Sequence, residues 1–456
     1  MYIAVRIEIT ACFRTHDTAM TFFSFVHHLH DPNAFQNRHR NRDIPARRDT
    51  SSAPASNDAR NDHLQLQEHT MNNPVRLVMM SGALLTTAHA AHATEVMLYG
   101  LFDTSLTYVW NADAQGKNLV GLGNGNLLGN RFGVKGAEDL GGGLKAIFTL
   151  ENGFNPNTGA LGQGNRMFGR QAFVGLESAR WGTLTIGRQY DALADVAWPI
   201  TGDFYFGSVY ATPGDVDNYD TSSRTDNAVK YTSPVVGGFQ FVGMYALGGV
   251  AGKSGAGQTW SAGLSYSNGP FDAAGGYYYA ANRSSLANGI RTGWNGTSDG
   301  TFDGSLVNGG YISAKSIGIA RGALRYTFAP FTVGIDYSNA QYKADATSAF
   351  RGTQKYDTAR GFFNYQTTAS LLVGVGYSYT KARGDTSATY HQVSAGADYV
   401  LSKRTDLYAV GAWQRANGEQ RTLDGGTQPA QASIGSYGYG GTRTQGIINL
   451  GLRHRF

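Results

Sequence analysis

The amino-acid sequence predicts an all-β chain, a transmembrane antiparallel β-barrel, and three observations point there. The period is two almost throughout from about Thr94 to Phe456. The alternating segments are roughly 10 residues long, joined in turn by tight connections and by long Gly/Asn/Asp/Ser-rich loops. Aromatic residues gather at segment ends, where a bilayer interface accommodates amphipathic rings. A barrel answers a physical demand: in hydrocarbon every backbone N–H and C=O must be paired within the protein, and a closed sheet has no edge.

In chain order, residues 1–70 are polar, charged and aperiodic, as in NRHRNRDIPARRDTSSAPASNDARND, which reads as a disordered extension. Met71 then opens MNNPVRLVMMSGALLTTAHAAHA, in which Arg76 supplies a positive start, Leu77 to Ala88 an apolar run and A-x-A a cleavage site. Residues 71–93 are therefore expected to be an export signal. Because a signal works from an N-terminus, translation is expected to begin at Met71, with 1–70 an artefact of start-site choice. The barrel takes 94–456. Its first strand shows the pattern, with Val96, Leu98, Phe102 and Leu106 alternating with Tyr99, Asp103, Ser105 and Thr107. The same alternation recurs in GLKAIFTLENGF, DNAVKYTSP, TWSAGLSYS, RGALRYTFAPFTVGIDYS, RGFFNYQTTASLLVGVGYSYTKA, QVSAGADYVLSKRTDLYAVGAWQ and GIINLGLRHRF. DLGGG, FAP and LSKRT read as tight turns, and Tyr108, Trp110, Tyr277 to Tyr279, Tyr377 and Tyr379 as interfacial rings. At roughly 20 to 25 residues per strand and loop the region holds about 16 strands, enough for a water-filled lumen.

Composition excludes several alternatives. The chain has 61 glycines, 26 tyrosines and 23 phenylalanines but few helix-forming windows. Its longest apolar run is shorter than the ~20 residues of a membrane helix. The single cysteine, Cys12, excludes a disulfide framework and a Cys-based zinc site. The net charge of +5 is scattered, so nucleic acid is not an expected partner. No enzyme is expected either: there is no G-x-S-x-G elbow or P-loop, and GLGNGNLLG carries Leu128 where a dinucleotide fingerprint needs glycine. His391 is the only histidine between the signal and the last strand, so neither metal nor cofactor is expected.

The segments VMLYGLFDTSL, RFGVKGAEDLGGGLKAIFTLENGF, FGRQAFVGLES, WGTLTIGRQYD, NAVKYTSP, YVLSKRTDLYA and GLRHRF together resemble the general diffusion porins of Gram-negative bacteria, most of all their betaproteobacterial, Burkholderia-type branch. That resemblance implies a homotrimer of 16-stranded barrels in the outer membrane. It further implies a third extracellular loop that folds inward to narrow each pore, here residues 192–221. The Pro-Glu-Phe-Gly-Gly of enterobacterial relatives is absent, with Trp198-Pro199-Ile200 and Phe204-Tyr205-Phe206-Gly207 in its place.

The resemblance also implies a basic ladder on the wall facing acids on the loop. The basic candidates are Arg131, Arg170 and Arg224, with Lys135 and Lys230 sharing the lumen phase. Arg131 lies in phase with Gly133 and Lys135, and Arg224 with Asp226 and Lys230; a strand arginine on the lipid side would cost ~2 to 4 kcal/mol at mid-bilayer. Arg170 has apolar phase-mates, Ala172, Val174 and Leu176, and rests on the resemblance. The acidic candidates are Asp191, Asp195 and Asp203, with Asp215 behind them. Phe456 is expected to be read by the outer-membrane assembly machinery, and lipid and lipopolysaccharide to surround the barrel. The function expected is passive diffusion of ions and small hydrophilic solutes with a weak anion preference; the alternative is a substrate-specific, sugar-type channel lined by an aromatic slide.

Overall fold

The computed structural model describes residues 95–456; the extension and the export signal expected at 1–93 lie outside the described residues. Sixteen strands form one closed antiparallel sheet. They are β1 (Glu95–Trp110), β2 (Arg131–Gly141), β3 (Leu144–Gly153), β4 (Gln171–Ser178), β5 (Gly182–Gln189), β6 (Thr225–Thr232), β7 (Phe239–Ala246) and β8 (Thr259–Asn268). The circuit continues through β9 (Phe271–Ala281), β10 (Ser316–Phe328), β11 (Phe331–Lys343), β12 (Gln354–Gln366), β13 (Leu371–Arg383), β14 (Ala388–Val400), β15 (Thr405–Arg421) and β16 (Thr444–Arg455). Each pairs with its sequence neighbours, and β16 returns to β1 through Leu101↔Arg455 and Trp110↔Gly446.

The closing seam is finished by Phe456. Its backbone exchanges two hydrogen bonds with Gly100, each 3.1 Å, and its ring lies over that glycine. A Cβ on Gly100 would stand 2.1 Å from the ring carbon Cζ, so the slot exists only because the position has no side chain.

Burial is inverted relative to a water-soluble sheet. In β11, Ile335 and Tyr337 are exposed while Asp336 and Ser338 are buried, and in β12 Phe363 is exposed while Arg360 and Thr358 are buried. The apolar phase faces outward and the polar phase inward, which is what a lipid solvent outside and a wet lumen inside require. Rings band the rim that carries the tight turns, in contacts such as Phe239–Tyr266, Phe328–Phe331 and Phe331–Tyr365. Near the opposite rim Trp260 packs against Tyr277 and Tyr279. Tyr278, between those two, points inward and is buried against Phe302. Of the run Tyr277 to Tyr279, expected at the interface, only Tyr277 and Tyr279 therefore face lipid, because neighbours in a strand alternate faces.

Seven connections on the turn rim are short, and those on the other rim are mostly long, with 384–387 between β13 and β14 the exception. Two further departures from the sequence reading occur. DLGGG is only partly a turn, since the β2–β3 ladder continues to Gly141↔Leu144 across a bulge after Asp139. In the first long loop, Leu119–Asn124 forms a strand of its own beside the upper half of β1, pairing Thr104↔Asn124 through Val109↔Leu119. Loop polarity in GLGNGNLLG conceals that strand; β1 outruns β2, and its unpaired upper edge recruits the segment.

Interior packing is supplied by loops rather than by a second sheet. Tyr278, Ile317, Tyr342, Tyr356 and Tyr390 on the inner wall bury Phe302, Val307 and Tyr311 of the 282–315 loop. A second cluster joins Phe206, Val209 and Tyr210 of the 190–224 loop to Phe362, Tyr408 and Val410 on the wall.

Candidate functional site

The 190–224 connection runs inside the barrel along the β7–β15 wall, and its local structure follows from its sequence. Asp191 precedes helix α1 (Ala192–Val196) and caps it, accepting from the backbone N–H of Leu193 at 2.8 Å and Ala194 at 3.2 Å. Pro199 sits in a single turn of 3₁₀ helix, Trp198–Ile200, and α2 (Gly202–Phe206) follows.

Wall glycines seat the loop's rings. A Cβ at Gly396 would lie 2.3 Å from Phe206, and one at Gly376 would lie 2.5 Å from Tyr210. Polar anchors complete the docking. Arg360 of β12 donates to Asp336 at 2.6 Å, to Thr212 Oγ1 at 2.6 Å and to Asp217 at 3.1 Å, with its guanidinium 3.7 Å from the ring centre of Tyr219. Tyr219 donates to Asp336 at 2.9 Å, Arg321 donates to the Asp217 carbonyl at 2.8 Å, and Ser338 donates to the Asp217 carboxylate. Gln392 donates to the Val209 carbonyl at 2.9 Å.

The free flank of the loop faces β2–β6 across a cavity of about 330 Å³ lined by Arg131, Arg170 and Arg224 on one side and by Asp195, Trp198, Asp203 and Asp220 on the other. Arg131, the first residue of β2, donates from Nε to the Gly129 carbonyl at 2.9 Å. Arg170 donates to Glu151 at 2.9 Å and to the Tyr190 hydroxyl at 2.6 Å. Arg224 donates to the same hydroxyl at 2.5 Å and lies 4.5 Å over the Tyr190 ring. Tyr190 thus ties two guanidiniums together while Glu151 balances only part of their charge.

The structure brings together five of the nine charged residues singled out in the sequence: Arg131, Arg170, Arg224, Asp195 and Asp203. Lys230 stands beside them, paired to Asp195 at 2.6 Å. Lys135 does not join the cavity; it is exposed, its Nζ 5.6 Å from the Tyr99 ring centre. Asp191 is absorbed as the helix cap, and Asp215 lies within the loop, accepting from the Asp220 N–H at 2.9 Å and the Ser222 hydroxyl at 2.7 Å. These two carboxylates hold the loop's shape instead of lining the passage. Arg170 enters the lumen against its apparent phase because β4 begins only at Gln171, so strand alternation does not govern it.

Glu151, Tyr190 and Asp220 were not picked out by the sequence reading. Glu151 carries a legible signal, sharing the inward phase of Thr149 opposite Leu150, whereas Tyr190 and Asp220 lie outside any ladder. Asp203 accepts from the Trp198 indole N–H at 2.5 Å, and Asp220 accepts from Ser208 at 2.6 Å and from Ser436. Burial, with the Asp220 carboxyl beside it, holds Asp203 well above the usual carboxylate range.

A long inward loop and facing charges inside a 16-stranded barrel agree with what the sequence matches. The family model for Gram-negative porins matches residues 81–419. The chain belongs to that family. This porin is 39% identical over 181 residues to an outer membrane porin protein of Bordetella pertussis, a match spanning 37% of this chain and 47% of that one. It is 27% identical to outer membrane porin protein 32 of Delftia acidovorans over 82% of this chain and 98% of the relative. Among solved structures, the anion-selective porin from Comamonas acidovorans superposes with a TM-score of 0.60 at 23% identity, covering 80% of this chain and 100% of that one. OmpT of Vibrio cholerae gives 0.56 at 14% identity over 80% and 98%. Both likenesses are of fold. The porin is an outer-membrane protein, and its apolar outer face is the surface that such a membrane requires.

Proposed function

We propose that this porin is a homotrimeric, water-filled channel for passive diffusion of ions and small hydrophilic solutes, with a weak preference for anions. The observation that carries the preference is the convergence of Arg131, Arg170 and Arg224 on one cavity whose opposing acids are muted. Asp195 is spent on Lys230, and Asp203 is held toward its neutral form. In a confined passage the surplus positive field attracts anions and repels cations. The name of the anion-selective porin from Comamonas acidovorans, a fold relative, agrees with this reading.

Reversal potentials in planar bilayers under a KCl gradient test it; a potential of the sign set by chloride is expected, and clear cation selectivity overturns the reading. Insertion in conductance steps of three tests the trimer. Residues 71–93 are proposed as the export signal, so N-terminal sequencing of mature protein should find nothing from 1–70. The C-terminal strand ending in Phe456 is proposed as the segment read by the assembly machinery, and outer-leaflet lipopolysaccharide as a neighbour of the apolar wall. A sugar-type slide has less support, since the lumenal rings Trp198, Phe204 and Tyr205 meet edge-on rather than as parallel faces.

A further inference from the structure

The rings of the constriction loop fall into two sets. Phe206 and Tyr210 are buried in glycine seats on the wall, which explains them as anchors. Trp198 and Phe204 have no such seat. Phe204 is 42% exposed inside the barrel, and Trp198, half-buried, lines the cavity with the three arginines. Their ring centres are 5.1 Å apart at 76°, so Phe204 extends the apolar face that Trp198 presents. An apolar face left wetted within a polar lumen is unfavourable unless a passing solute covers it. The indole is also held in place, because its N–H is committed to Asp203.

We infer that the constriction carries a binding subsite for small aromatic carboxylates, the ring resting on Trp198 and the carboxylate meeting the guanidiniums opposite. This rests on the anion-selective reading and names the solute class for the same passage. Guanidinium and carboxylate form paired, charge-assisted hydrogen bonds, and an offset or edge contact suits ring against ring. The cavity, about 330 Å³, is at the small end of the range for organic ligands, which favours a single ring over a fused system.

The test is current blockade of single channels in KCl by benzoate, acetate and benzyl alcohol. Benzoate is expected to block at roughly fivefold lower concentration than acetate, the scale of one aromatic contact, and benzyl alcohol not to block. The double variant Trp198→Leu, Phe204→Leu is expected to abolish the benzoate-over-acetate ratio, and Trp198→Phe to retain part of it; only channels that insert and conduct are scored. Equal blockade by benzoate and acetate in a channel that still selects chloride overturns the subsite and leaves the anion reading standing. A ratio unchanged by both variants overturns it too. Cation selectivity of the parent channel overturns both.

Discussion

Arg131 adds one charge to a passage that ions cross in water, and its effect scales with Coulomb's law in a wet dielectric. At ~5 Å from a passing ion, with a water-like dielectric, one unit charge is worth about 0.8 kcal/mol, favourable for an anion and unfavourable for a cation, so their permeability ratio shifts by about 1.6 kcal/mol, or roughly fifteenfold. Arg131→Ser should therefore lower the chloride-to-potassium permeability ratio by about that factor, read as a shift in reversal potential. Asp203 gives the passage a pH dependence whose sign follows from its raised pKa. A carboxyl held above its ordinary range stays neutral to higher pH than a free one and gains its charge as pH rises through that raised range. Anion preference should fall as pH rises, and Asp203→Asn should flatten the profile; a preference that rises with pH would contradict this assignment. Which single residues could be read in advance depended on the ladder. Arg131 heads a strand and obeys its alternation, whereas Arg170, one residue ahead of β4, does not. Asp191 is legible in retrospect as an acid before a short helix, a position where capping competes with lining.

The inward loop is an element whose fold is dictated by its far side. Arg360 is buried among Asp336, Asp217 and Thr212, so removing it takes from Asp336 the guanidinium it accepts from and leaves Asp217 only Arg321, 4.0 Å away. Losing one partner of such a group typically costs about 3 to 5 kcal/mol. Arg360→Ala should destabilise the docked loop by that order, seen as added noise in the single-channel current and as new protease cleavage within 190–224. Gly396→Val should produce a milder version, about 1 to 3 kcal/mol of overpacking, because its side chain would enter the space of Phe206. The loop's length and its rings were visible in the sequence. The wall positions that receive them were not, since Gly374, Gly376 and Gly396 read as ordinary barrel glycines until the opposing rings are known.

At the scale of the whole molecule, the alternation of faces specified the barrel, because one phase must meet lipid and the other water along every strand. The strand-like segment Leu119–Asn124 escaped that reading because its pairing is with the upper part of β1, a long-range contact that local polarity does not encode. Closure is the molecule's global constraint, and Gly100 is where it is most tightly specified. Gly100→Leu should weaken the seam by about 1 to 3 kcal/mol, measured as a lower urea midpoint for refolding in lipid vesicles. The two flanks of the inward loop carry different groups: Arg360, Asp336 and Asp217 fasten it, while Arg131, Arg170, Arg224 and Asp203 line the passage, and Tyr219, which donates to Asp336 beneath Arg360, is also close enough to feel the charge of Asp203. Perturbations add only where sites are distant and share no partner, and groups carried on one loop do not meet that condition. A wall charge such as Arg131 can be exchanged without touching the loop's fastening, so that mutational drift there could retune which ions pass at little loss of stability, whereas a variant that loosens the loop, such as Gly396→Val, also moves Asp195 and Asp203 and so changes both.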